Sequence, residues 1–542
     1  MAFASAPTGA AIRLTVSDAA RTYIQARAAA MSGEHARAAA LLASLAEAEP
    51  GRPDLTRQAL SEAVGAGQMD LALNLVRNIP PAKLTIDARM LLAAEEIRRR
   101  HPDRALPWLA AGTTGSDLSF ISPMITAWAA ADRGDVDRAL STVDQVPTGS
   151  LLAPLVPEQR AFILLKARRA AEAEPFARRA IGVAGAREAR LRLAFADGFL
   201  AAGDRQRALM IIQGMGAGEF AARQRITAGK NAGETIDSLP KAFAEMLTAF
   251  SADIARVQRN SPPIGLVQVA RYLNPQDSAT TALLALLLAG QDRTPEALAL
   301  LRSVPNDDPL ISQIRDVHAR ILTDAKRYDE AYQVAATAAA APGADLSDYS
   351  RLGDVLQAMK RHDAAADSYG RAIALAQSQH LDSELWSLLS LRASALQDAG
   401  RWPEAKAALQ QALALQPDQP VLLNFMGYAE LEHHENLDAA EAMIRRASEL
   451  DPEDASITDS LGWAQFKRGK VDDAIATLQR AAEKDPDQAE IQEHLGDALF
   501  KSGRRYEARY AWNAALVTAE DETAARVKAK LASGLSSANA AP

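Results

Sequence analysis

Ala440, Ala474 and Ala508 lie 34 residues apart, and so do Ala447, Ala481 and Ala515. Gly462 and Gly496 keep the interval, as do Pro452 and Pro486. A fixed period of about 34 residues with small side chains at fixed phase belongs to stacked helix–turn–helix units. One such unit cannot bury its apolar face alone, so it must pack on copies of itself. A small residue on the first helix, with alanine twelve positions later on the second, lets the axes approach to about 8–10 Å. The proline a further twelve positions on ends the second helix, because it lacks an N–H and blocks the preceding turn.

The same phase continues upstream. Ala393, Ala405, Ala412 and Pro417 form one unit, and Gly427, Ala440, Ala447 and Pro452 another, with one extra residue near Glu435-Asn436. Gly353 with Ala365, Tyr369 and Ala372, Ala319 with Ala331, and Ala285 with Ala297 extend it, and Pro275 closes a more degenerate unit. Ala38, Ala72, Ala105, Ala139, Ala173 and Ala208 then recur at 33 to 35 residues. Gly33, Gly67, Gly134 and Gly203 fall in the turns, where positive φ favours glycine. The expected fold is all-α, a right-handed solenoid of about twelve units.

Composition agrees with this. Hydrophobic residues make up 48% of the 542, yet aromatics only 5%; alanine, the best helix former, carries the core. Residues 1–250 hold 30 Lys/Arg against 26 Asp/Glu, and the remainder 30 against 42. No basic stripe tracks phosphates, so nucleic acid is not an expected partner. The absence of cysteine removes disulfides, thiolate zinc sites, cysteine catalysis and a lipidated N-terminal Cys. No apolar run approaches the roughly 18 residues of a membrane span.

Residues 1–18 are read as a disordered N-terminus. Ala2-Phe3-Ala4 before Ser5-Ala6-Pro7 looks like a signal-cleavage site, but no basic and apolar regions precede it. It is either the remnant of a removed signal or a chance match in an alanine-rich chain. Residues 19–213 are expected to be degenerate repeats, 214–240 a glycine-rich loop or hinge, 241–377 further repeats and 378–518 well-matched ones. A short insertion spans Gln377 to Ser383, and 519–542 should form a capping helix and a disordered tail.

These alanine, glycine and proline positions resemble the tetratricopeptide repeat (TPR). The strings LNFMGYAELEHHENLDAAEAMIRRASELDP, DSLGWAQFKRGKVDDAIATLQRAAEKDP and EHLGDALFKSGRRYEARYAWNAAL narrow the likeness to TPR proteins of the Gram-negative cell envelope. That resemblance implies a periplasmic or outer-membrane-associated scaffold or adaptor for other proteins, such as envelope proteases or cell-wall enzymes. It also favours a removed signal, and it is compatible with peripheral membrane association. Lipoprotein members carry an N-terminal Cys that this chain lacks. A cytoplasmic TPR regulator and a cell-wall polysaccharide binder are the alternatives.

Little in the sequence points to catalysis or cofactors. Glu432-His433-His434-Glu435 places metal-ligand types side by side, but adjacent helical histidines point about 100° apart, and the cluster reads as a solvated turn. Gly229-Lys230 lacks the hydroxyl residue of a phosphate loop, with Asn231 in its place. No metal or cofactor is expected. First helices of TPR arrays line the concave face, which selects Asn424, Tyr428, Leu431, Asp459, Trp463, Phe466, Lys467, Glu493, Asp497, Phe500 and Lys501 as partner-binding candidates. Trp463 and Phe466 have an equally simple role packing between adjacent repeats.

Overall fold

A computed structural model describes residues 16–541, apart from 78, 111–116, 216, 258–260 and 342–343. The expected disorder of 1–18 therefore lies almost wholly outside the described residues. Among those described there are thirty α-helices and no strand, the architecture of a TPR-type solenoid.

The turn between paired helices shows the repeat most plainly. A left-handed residue occurs at Gly33, Gly67, Arg100, Gly134, Arg168, Gly203, Asp292, Lys326, Lys360, Gly400, His434, Gly469 and Gly503, which marks thirteen helix–turn–helix units. Five residues after each stands an alanine with no exposed surface, from Ala38 to Ala508. At Ala440 the interval is six, and Asn436 adopts a second left-handed conformation to absorb the extra residue. Small residues on the first helices are equally confined. A Cβ on Gly462 would come within 2.7 Å of Leu478, and one on Gly427 within 2.7 Å of Ile444. Gly496 leaves the space that the Trp512 indole fills.

The chain divides into two compact units, residues 1–351 and 352–542. In the first, six units run from helix Val16–Met31 to helix Arg205–Ile211. The segment expected as a loop or hinge contains instead helix Ala217–Thr227. Its apolar signal is thin, since Ala222 and Ile226 are its buried side chains, and Gly229 at φ 73° ends it.

The next two helices depart from the repeat order. Helix Leu239–Val257 packs on first helices Ile86–Arg98 and Ser122–Asp132, and helix Ile264–Leu273 packs on Pro53–Gly65 and Ile86–Arg98. The chain thus returns over the first-helix side of its own N-terminal repeats. Two repeat pairs, beginning at Ser278 and Ile311, follow.

Polar groups seat this returning segment. Asp197, 2% exposed, accepts the backbone N–H groups of Ala232 (2.6 Å) and Gly233 (3.0 Å). Asp132 accepts from the Leu239 N–H, and Lys166 donates to the Asp237 carbonyl. Farther on, the Tyr272 hydroxyl donates to Glu95 at 2.7 Å beneath the Arg98 guanidinium, and burial with the neighbouring carboxylate pushes its pKa up to about 12.

A buried polar chain runs through the centre. Trp128 donates to Gln159, Gln159 to Glu158, and Arg187 bridges Glu158 (2.9 Å) and Glu245 (3.3 Å). Arg190 then joins Glu245 to Asp277. Glu245 and Glu158 are each 1% exposed, so both charges depend on these partners.

In the second unit, the Gln377–Ser383 insertion lengthens helices His362–Ser378 and Asp382–Asp398 to 17 residues each and leaves His380 in a left-handed turn. Helix Asp521–Ser533 caps the array. The tail beyond it, expected to be disordered, folds back: Asn539 donates to the Gly534 carbonyl and accepts from Ser536, and Ala541 is 3% exposed. A buried carboxylate, Asp497, receives the Ala541 N–H and supplies the reason.

Candidate partner-binding face

Helices Pro420–Glu432, Ala455–Lys467 and Ala489–Lys501 are the first helices of three consecutive units, and the eleven selected residues all lie on them. Five are buried: Leu431, Asp459, Trp463, Glu493 and Asp497. Asn424, Tyr428, Phe466 and Phe500 are half-buried, and Lys467 and Lys501 are exposed.

The aromatics form a stack. Trp463 lies 4.9 Å from Phe466 and 4.0 Å from His494, both nearly parallel to it, and Lys467 sits 5.1 Å above its ring. At 1% exposure Trp463 is packing that joins one repeat to the next. Leu431 belongs to an apolar cluster with Ile444, Leu461 and Ala464, and Tyr428 covers it. Phe500 leans on Trp512 and on Gly534 of the tail.

The charges are arranged around the same helices. Asp459 accepts from His494 Nδ1 at 2.9 Å, and the His494 Nε2 is buried without a partner. Glu493 takes Arg526 (3.0 Å) and Lys530 (2.7 Å), while Asp497 takes Lys530 (2.7 Å) and the Trp512 indole N–H (2.9 Å). Burial works against both carboxylates, yet they part company. Two cations hold Glu493 below the usual range, whereas burial pushes Asp497 above it despite Lys530.

Several of these groups escaped sequence reasoning. His494 occupies a core column with Ser460 34 residues before it, and a polar side chain in a core column is a signal for a partner. Lys530, on the expected capping helix, is fully buried. His433 stacks on Trp402 at 4.5 Å, and Glu435 accepts from Trp402 and Lys406, so the Glu432–Glu435 cluster ties two repeats together. No group of three or more potential metal ligands occurs among the described residues, and none of their helices is long and apolar enough to cross a membrane.

His494 carries a pH prediction. Burial alone would lower its pKa, but attraction and hydrogen bonding to Asp459, with Glu490 and Asp497 adding to them, raise it above the ordinary value. A raised folded-state pKa gives stability that is present below the unfolded value of about 6.5 and lost as pH climbs through the folded one. The C-terminal unit should therefore unfold at lower urea concentration as pH rises above about 6.5, and His494→Gln should flatten that slope. A slope of the same steepness in the variant would assign it to another group.

With this geometry in place, comparison with known proteins is informative. Tetratricopeptide repeat models match residues 349–379 and 390–455, and a TPR repeat model matches 462–503. A TPR repeat-containing protein of Pseudomonas aeruginosa is 29% identical over 172 residues, which is 31% of this chain and 28% of that protein. The chain thus spans under a third of that relative's length. Among solved structures, the Cut9–Hcn1 hetero-tetramer of the APC/C aligns over 96% of this chain and 97% of its own, at 14% identity and a TM-score of 0.40. A thermophilic TPR protein of Thermus thermophilus aligns over 34% of this chain and 99% of its own, at 23% identity and a TM-score of 0.31. The matched repeats are protein–protein interaction units.

Proposed function

We propose that this chain is a non-catalytic adaptor that holds segments of partner proteins on the first-helix face of its C-terminal unit. The observation that supports this most is a contrast between the two units. In residues 1–351 the first helices Pro53–Gly65, Ile86–Arg98 and Ser122–Asp132 are covered by helices Leu239–Val257 and Ile264–Leu273. In residues 352–542, among the described residues, successive first helices pack on one another with no such returning pair. Asn424, Tyr428, Phe466 and Lys467 keep part of their surface there. Aromatic edges beside polar groups on a helical groove suit an extended or helical peptide.

The cell envelope of a Gram-negative bacterium is the setting we propose, in the periplasm or at the outer membrane. Support comes from the resemblance of the C-terminal strings. Envelope proteases and cell-wall enzymes are the partners that resemblance suggests.

The test is site-specific photocrosslinking in living cells. A crosslinker at position 424 or 467 should trap partner proteins, whereas one at Tyr510, 78% exposed on the opposite helix of the last repeat, should trap few. Crosslinks confined to position 510 would sink the proposed face.

A further inference from the structure

The outer side of the last repeat departs from the repeats before it. On helix Arg505–Thr518, Tyr506 is 84%, Tyr510 78% and Val517 81% exposed. At 100° per residue these three and Asn513 fall within about 60° of one another, opposite the buried Ala508, Ala511, Trp512 and Ala515. They form a stripe about 17 Å long that takes no part in the core.

The repeat itself supplies the comparison. The column that ends in Tyr506 holds Pro403, Asp438 and Asp472 in the three preceding repeats. The column of Tyr510 holds Ala407, Ala442 and Ala476, and that of Val517 holds Ala414, Glu449 and Glu483. None of the nine is a large apolar side chain. The end of a solenoid ordinarily turns a polar surface to water, yet here the outer columns change to tyrosine and valine. Contiguous exposed apolar surface marks an interaction site, and tyrosine is enriched at the centre of interfaces.

Charge at the two ends of the stripe selects the occupant. Lys501, Arg504 and Arg505 stand exposed at its beginning, and Glu520, Asp521 and Glu522 stand exposed at its end. A second copy of the helix laid antiparallel on the first sets each basic end against an acidic one. The same operation sets Tyr506 against the second copy's Val517, and Tyr510 against its Asn513. Asn513 already donates to the Arg509 carbonyl at 2.7 Å, so the polar member of the stripe keeps a partner when covered. A parallel arrangement would bring like charges together at both ends. The surface is therefore complementary to itself, as a two-fold interface requires.

We infer that two copies of this chain associate through helix Arg505–Thr518 as an antiparallel two-fold pair. Four tyrosines at about 150–250 Å² each bury about 600–1,000 Å², less than the roughly 1,200 Å² at which standard stable interfaces begin. The pair is accordingly a weak one, separated by dilution and, through its charged ends, by salt. It uses the outer side of the last repeat and is independent of the docking face proposed above. A photocrosslinker at position 510 then joins this chain to another copy of itself.

Sedimentation velocity of the full chain over about a hundredfold range of concentration tests this, at low and high salt. The expected result is a dimer at the upper end whose dissociation constant rises at least about tenfold in Tyr510→Asp; circular dichroism checks the fold, which Tyr510 does not support. Arg505→Glu and Glu520→Arg should each weaken the dimer, since each sets like charges opposite one another twice. An equimolar mixture of these two variants should recover it, because both contacts become pairs of opposite sign. A monomer at every concentration, or a dimer indifferent to Tyr510→Asp, would overturn the inference. A mixture as weak as its components would overturn the antiparallel arrangement. A chain that stays monomeric but floats with phosphatidylglycerol vesicles, and ceases to in Tyr510→Asp, would assign the stripe to a lipid surface instead.

Discussion

Glu245→Ala is expected to destabilise the N-terminal unit by about 3–5 kcal/mol, the usual effect of breaking a buried charge pair from one side. Glu245 lies mid-helix in Leu239–Val257, 1% exposed, and takes both Arg187 and Arg190. Removing it leaves Arg187 with Glu158 and Arg190 with Asp277, each short of one charge. The effect should be regional. Helix Leu239–Val257 holds its place through this pair and through apolar residues such as Phe243, Met246 and Leu247, so the returning segment should loosen before the repeats beneath it. Hydrogen exchange followed by mass spectrometry should show protection falling across 229–273 ahead of 19–110. Glu245→Gln, which keeps the shape and one acceptor, should lose less. Uniform loss across residues 19–340 would mean that the segment is core to every repeat rather than an element seated on them, and an unchanged urea midpoint would show the pair to be of little weight.

That segment also marks where the sequence stops being legible. The repeat could be read because its signal is local. One alanine at fixed phase becomes one residue without exposed surface, and Ala38 at the start behaves as Ala508 does at the end. The turn was legible where glycine occupies it, as at Gly67, and hidden where Arg100, Lys326 or His434 adopts the same left-handed conformation. The phase would have located Arg100 and Lys326 too, since they fall five residues before the alanine, but at His434 the extra residue shifts the interval to six. The returning helices have no such phase. Their partners are far away in sequence: Gln268 donates to the Gly65 carbonyl and Tyr272 to Glu95. Glu245 and Asp197, which seat them, look like ordinary surface residues until Arg190 and the Ala232–Gly233 backbone are brought to them. The candidate face was half legible for the same reason. Spacing placed the selected residues on the first helices of three consecutive units. It could not say that Trp463 is taken by His494 and Phe466, or that Glu493 and Asp497 are taken by a helix more than 30 residues on.

Lys530→Ala should have an effect of similar size in the C-terminal unit, about 3–5 kcal/mol, and here pH separates the causes. The substitution leaves Glu493 with Arg526 and leaves Asp497 with two neutral donors, the Trp512 indole and the Ala541 amide. Burial already pushes the Asp497 carboxyl above its ordinary range, so without Lys530 it can escape its penalty by taking up a proton. The loss should therefore be largest near neutral pH and shrink as pH falls through the carboxyl's raised pKa. A variant in which Asp497→Asn accompanies Lys530→Met removes both charges and keeps an amide for the indole. It should recover most of the loss, because an ion pair replaced from both sides by groups of similar volume is often close to neutral. Urea midpoints of the wild type, Lys530→Ala and the double variant at two pH values measure this directly. The tail gives a second readout. It is seated through Ala541 on Asp497, and the repacking left by Lys530→Ala should expose residues 534–541 to carboxypeptidase. If Lys530→Ala costs the same at both pH values and the double variant restores nothing, then the lysine acts through packing of its aliphatic stem against the last repeat rather than through charge.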